Sequence, residues 1–137
     1  MHFDVSVMRN LPYSKKPDAS RAFDEARSDF HKQDAKGGIA SLDRAVEMDP
    51  KFVRARLSLG ESYEFSLQPD ESLEAYRKTI AIDPRLTVAY KVLGYTLLSN
   101  KQFEEAIPVW QEFIKVVPSD SDGLAKHGQR SGGVRTL

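Results

Sequence analysis

Three prolines, Pro50, Pro84 and Pro118, stand 34 residues apart. A fixed period of this length belongs to chains built from stacked units, none of which can bury its apolar face alone. Within the central unit, two short amphipathic segments flank a turn. Arg54 to Tyr63 is the first, Gln68-Pro69-Asp70 is the turn, and Glu71 to Asp83 is the second. The same arrangement recurs on both sides, so the chain reads as all-α and built from helical hairpins.

Taken in order, residues 1–17 stand outside the period. Phe3, Val5 and Val7 alternate with Asp4 and Ser6, which suits a short extended segment. Pro12, Lys15-Lys16 and Pro17 then read as linker. The first helix is expected after Asp18 or Ser20, either of which can accept the N–H groups of a first turn. Gln33 to Gly37 forms a turn, and the second helix stops at Asp49, because the residue before a proline is pushed out of the α region. The third helix covers about 52–66, and Pro69 with Asp70 and Glu71 opens the fourth. The fifth carries Leu86, Ala89, Tyr90, Leu93, Gly94 and Leu97, the stripe of a helix buried on one face. The sixth carries Phe103, Ala106, Ile107, Trp110, Phe113 and Ile114. Pro108 lies within it, which implies either a kink or a helix that starts late enough to place Pro108 in its first turn. Residues 119–129 read as one more short helix, and 131–137 as a flexible tail.

Aligned from Ala19, Val53 and Thr87, the units agree in register. Small residues fill the eighth position (Ala26, Gly60, Gly94) and the twentieth (Gly38, Ser72, Ala106). Branched apolar residues fill the twenty-first (Ile39, Leu73, Ile107) and large ones the twenty-fourth (Leu42, Tyr76, Trp110). Where two helices of a hairpin cross closely only a small side chain fits, and large neighbours fill the flanking space. Leu59-Gly60-x-x-Tyr63 with Tyr76 and Asp83-Pro84, Leu93-Gly94 with Ala106 and Trp110, and Ala26 with Leu42, Ala45 and Asp49-Pro50 together resemble the tetratricopeptide repeat. The resemblance covers about residues 19–120, most of the chain. It implies a right-handed α-solenoid of three helix-turn-helix repeats, within a repeat domain spanning 18–130, ended by a C-terminal capping helix to which Leu124 and His127-Gly128 belong. Arg56 and Ala22 depart from the large apolar residue usual in the family, and Thr79 and Phe113 from its alanine.

The same resemblance implies that the first helix of each hairpin lines a concave groove. Carried over, the groove positions are Ser20, Phe23, Arg27 and Phe30; Arg54, Leu57, Glu61 and Glu64; and Val88, Lys91, Tyr95 and Leu98, with Val92 beside them. Apolar patches with basic points at Arg27, Arg54 and Lys91 suit a peptide bearing an apolar anchor near an acidic residue. The Leu57–Val88–Val92–Tyr95 group is expected to be an exposed apolar cluster. One subfamily clamps chaperone C-terminal carboxylates with Lys, Asn, Asn, Lys and Arg. Phe23, Arg27, Ser58, Val88 and Val92 stand at those positions here, so that ligand is not expected.

Other function classes find no support. The 137 residues include 20 basic and 20 acidic ones, so no global field draws the chain to nucleic acid or an anionic membrane. No apolar run is long enough to span a bilayer, and a cytoplasmic chain is the working expectation. The chain has no cysteine, and His2, His31 and His127 share no ligand spacing, so no metal site, cofactor or catalytic centre is expected. Asp24-Glu25 and Glu104-Glu105 read as solvated helix surface, and Trp110 and Tyr76 as core. The expected function is a non-catalytic module binding a protein or peptide partner. The alternatives are a self-assembling module, a homodimer built on the N-terminal segment or the terminal repeat faces, and an accessory domain of a larger enzyme.

Overall fold

The computed structural model describes residues 11–117. Five helices run α1 (Pro17–His31), α2 (Ala35–Met48), α3 (Val53–Phe65), α4 (Pro69–Ile82) and α5 (Thr87–Ser99). A sixth, α6, occupies 103–117. The expected segments at Phe3–Met8, 119–129 and 131–137 lie outside the described residues.

Each helix packs on the next, α1 on α2, α2 on α3, α3 on α4 and α4 on α5. Two apolar clusters result. The first joins Phe23 and Ala26 of α1 to Leu42 and Ala45 of α2, and to Phe52, Ala55 and Leu59 at and within α3. The second joins Leu57 of α3 to Leu73 and Tyr76 of α4, to Val92, Leu93 and Leu97 of α5, and to Ala106 of α6. Helix α3 therefore buries Ala55 and Leu59 on one side and Leu57 on the other, as an element sandwiched between neighbours must.

The close crossings fall where the register placed them. A Cβ on Gly60 would run into the Tyr76 ring, and one on Gly94 would lie 2.5 Å from the Trp110 indole. The first hairpin solves the same problem differently. Leu42 replaces the aromatic residue, Ala26 with its methyl replaces the glycine, and Gly38 instead takes the Phe30 ring.

Each hairpin turn uses one device. Gln33, Leu67 and Lys101, again 34 apart, all hold left-handed backbone, with φ of 65°, 59° and 61°. Beyond each, an N–H reaches back five residues, Asp34 to Asp29, Gln68 to Tyr63 and Gln102 to Leu97, each at 2.8 Å. This is the Schellman ending without its usual glycine. The junctions between repeats are equally regular. The Asp49 and Asp83 carboxylates accept from the N–H groups of Lys51 and Arg85, and their carbonyls accept from Phe52 and Leu86.

Helix starts differ in part from expectation. Pro17 occupies the first turn of α1 with no side-chain cap, and Pro69 opens α4 as expected. Asp34 caps α2 by accepting from the Gly37 N–H at 2.9 Å. Helix α6 runs continuously from 103, so Pro108 lies beyond its first turn and withholds the N–H that would reach the Glu104 carbonyl.

Two departures from the repeat pattern acquire a reason. Tyr90 donates to the Pro84 carbonyl at 2.7 Å. Arg56, 34 residues earlier, donates to the Pro50 carbonyl at 2.9 Å. Arginine thus performs the aromatic residue's polar task at the equivalent junction. Thr79 is fully buried, and its hydroxyl donates to the Ala75 carbonyl of its own helix at 2.9 Å.

Candidate functional site

Most of the expected groove residues fall into three groups, with Phe23 in two of them. Phe23, Leu57 and Val92 are core, at 3%, 0% and 4% exposure. The exposed apolar cluster expected from Leu57, Val88, Val92 and Tyr95 is therefore corrected: Val88 is half-buried and only Tyr95 is exposed. The reason is the sandwiching of α3 and α5, whose Leu57 and Val92 turn into the second cluster.

A second group, Phe23, Arg27 and Arg54, is covered by the chain itself. Residues 11–16, which have no regular secondary structure, cross α1 and α3 as a strap. The Tyr13 ring meets Phe23 edge-on, with centroids 5.2 Å apart, and tilts against Phe52 at 6.3 Å. The Arg54 guanidinium lies 4.8 Å from the centre of the Tyr13 ring and 5.3 Å from that of Phe23, a cation–π stack. The Tyr13 hydroxyl donates to Asp24 Oδ1 at 3.0 Å and accepts from Arg27 Nη1 at 2.7 Å. Arg54 also donates to the Leu11 carbonyl, and Leu11 packs against the second cluster. Farther along, Ser14 donates to Asp49 at 2.5 Å and Lys16 to the Met48 carbonyl at 3.3 Å. Reading 11–16 as linker missed this. The available signal was Leu11-Pro12-Tyr13, two apolar side chains around a proline in an otherwise polar stretch.

The third group lies on α5. Lys91 is exposed, Tyr95 is 45% exposed and Leu98 39%. Tyr95 is braced edge-on by Trp110 at 5.0 Å, and Trp110 in turn by Phe113 at 5.4 Å.

A polar node sits between these ends. Glu64 accepts from the Tyr76 hydroxyl and, at 3.1 Å, from Thr96. Burial, with the nearby Glu64 charge second, pushes the Glu61 carboxyl above the usual carboxylate range. Its Oε2 is buried without a hydrogen-bond partner. Burial first, and the Glu64 hydrogen bond second, push the Tyr76 phenol far up, so it stays a neutral donor. No group of three or more His, Cys, Asp or Glu that could hold a metal ion occurs among the described residues. No helix there is long and apolar enough to cross a membrane.

Known proteins share this architecture. The TPR2B domain of yeast Sti1, solved as a complex with pHsp70, matches with a TM-score of 0.69 at 16% identity, over 83% of this chain and 93% of that one. The chain has the tetratricopeptide-repeat fold. The crystal structure of MamA matches this chain with a TM-score of 0.70 at 23% identity, over 75% of this chain and 60% of MamA. Small glutamine-rich tetratricopeptide repeat-containing protein 2 of Mycosarcoma maydis is 25% identical over 88 residues, 64% of this chain. The match spans about a quarter of that relative's length. No family model matches the chain.

Proposed function

We propose that this chain is a non-catalytic interaction module that holds a peptide segment of a partner protein against the inner helices of its hairpins. The observation that carries the reading is the exposed face of α5. Tyr95 and Leu98 stay substantially exposed beside Lys91 although the rest of that helix is largely buried. An aromatic residue braced from behind by Trp110 keeps its outer face presented at little entropic cost. Sti1 TPR2B, of the same fold, was solved as a complex with pHsp70. The positions of the carboxylate clamp here hold Phe23, Arg27, Ser58, Val88 and Val92, so a chaperone C-terminus is not the ligand.

The test is a peptide-array screen with the intact chain, followed by titration of the hits. Tyr95→Ala and Lys91→Glu should each weaken a true hit by about tenfold, the loss of one good interface contact. Hits insensitive to both changes would remove this reading. Self-assembly is the second reading. It rests on α6, where Phe103, Ile107 and Ile114 are 58%, 56% and 66% exposed. Light scattering across a concentration series decides it, since a constant monomer mass rules it out.

A further inference from the structure

The strap occupies the α1–α3 half of the proposed groove. Tyr13 enters a cradle whose floor is Phe23 and Phe52, whose lid is the Arg54 guanidinium, and whose rim holds Asp24 and Arg27. The rim is matched to a phenol and not merely to a ring, because it offers one acceptor, Asp24, and one donor, Arg27, to a single hydroxyl. Two residues earlier, Leu11 lies on the second cluster while its carbonyl accepts from Arg54. Pro12 between them favours extended backbone at Leu11.

The contacts of Leu11 and Tyr13 differ in kind from those that follow. Ser14 and Lys16 tie the strap to the end of α2 and its junction with α3, and the Ser14 carbonyl accepts from Ser20 of α1 at 2.8 Å. Residues 14–16 are thus anchored to their own surroundings. Leu11 and Tyr13 instead reach α1 and α3 as side chains of a peptide would. Both are only half-buried, and releasing Tyr13 would uncover the Phe23 and Phe52 floor of the cradle.

We propose that Leu11-Pro12-Tyr13 is a resident pseudo-ligand, and that the cradle it fills is a receptor for an extended peptide presenting an aliphatic residue and, two positions later, a tyrosine. This rests on the groove being the peptide site. It adds that a partner must carry this pair and displace the strap before it can engage the α1–α3 half.

The probe is a fluorescein-labelled peptide of sequence Leu-Pro-Tyr-Ser-Lys-Lys, titrated by anisotropy into the full chain. Tyr13→Ala should bind it at least tenfold more tightly than the unaltered chain does. Adding Arg54→Ala to Tyr13→Ala should cancel that gain. A probe with Phe in place of Tyr should bind Tyr13→Ala severalfold more weakly than the tyrosine probe. Equal binding by the unaltered chain and Tyr13→Ala, or binding by neither, overturns the proposal. If Tyr13→Ala loses helical circular dichroism, Tyr13→Phe replaces it. That variant keeps the ring contacts, loses both hydroxyl bonds, and should gain about threefold; no gain overturns the proposal equally. A partner peptide lost on Tyr95→Ala, alongside a probe that binds no variant, leaves the interaction reading standing and removes this one.

Discussion

At Gly60 the ring of Tyr76 lies against the helix backbone, and Tyr76 is itself fully buried and tied through its hydroxyl to Glu64. That ring has nowhere to go. At Gly94 the facing side chain is Trp110, which is only partly buried and can yield. Gly→Ala in a helix interior gains up to about 1 kcal/mol of propensity, while overpacking costs about 1–3 kcal/mol. Gly60→Ala should therefore destabilise clearly and Gly94→Ala should lie near neutral, as denaturant midpoints of the two variants would show. Glu61 makes a second prediction at this scale. Its pKa is raised in the folded state. The stability it contributes is therefore fully present below its unfolded pKa and is lost as pH rises through the folded value. Glu61→Gln should be more stable than the unaltered chain at pH 7, with the difference shrinking as pH falls through the carboxylate range. Parallel urea titrations at pH 7 and pH 4 measure this, and a difference independent of pH would contradict it.

Among the elements, the turns show best where sequence was readable. The helices were legible because apolar spacing reports directly on which face is buried, and Asp49-Pro50 and Asp83-Pro84 marked their ends. The left-handed residues were not legible. Gln33, Leu67 and Lys101 carry none of the glycine or asparagine that announces such a backbone; the tertiary packing of each hairpin imposes it. Leu67 bears the largest mismatch, a branched side chain at φ 59° that is 87% exposed. Leu67→Gly should stabilise the chain by about 0.5–1 kcal/mol, because glycine meets no steric penalty there. Thermal unfolding would show it as a rise of a few degrees. The expected groove positions went wrong at two residues for a related reason. Register places Leu57 and Val92 on the first helix of a hairpin. It does not say that α3 and α5 are flanked on both sides, which turns those two residues inward. The strap was not legible because the alternation at Phe3, Val5 and Val7 stops short of it, and Leu11 to Lys16 carries no apolar period.

Over the whole molecule, contacts run chiefly between successive helices, and stability in such a stack is approximately a sum of unit and interface terms. Helices α3 and α4 have a neighbouring hairpin on either side, whereas α6 exposes Phe103, Ile107 and Ile114 among the described residues. Amide hydrogen exchange should be slowest in α3 and α4 and faster in α6. Uniform protection across all six helices would mean that the chain opens only as one unit. The junctions carry a further consequence. Asp49-Pro50 and Asp83-Pro84 close with the same carboxylate and carbonyl bonds, and each is followed by a side chain donating to the proline carbonyl, Arg56 in one case and Tyr90 in the other. The two ends of the block from Lys51 to Pro84 are thus interchangeable joints. A copy of that block set between them would meet at each seam the geometry it left, so the superhelix can be lengthened by whole units while every local bond pattern stays as it is.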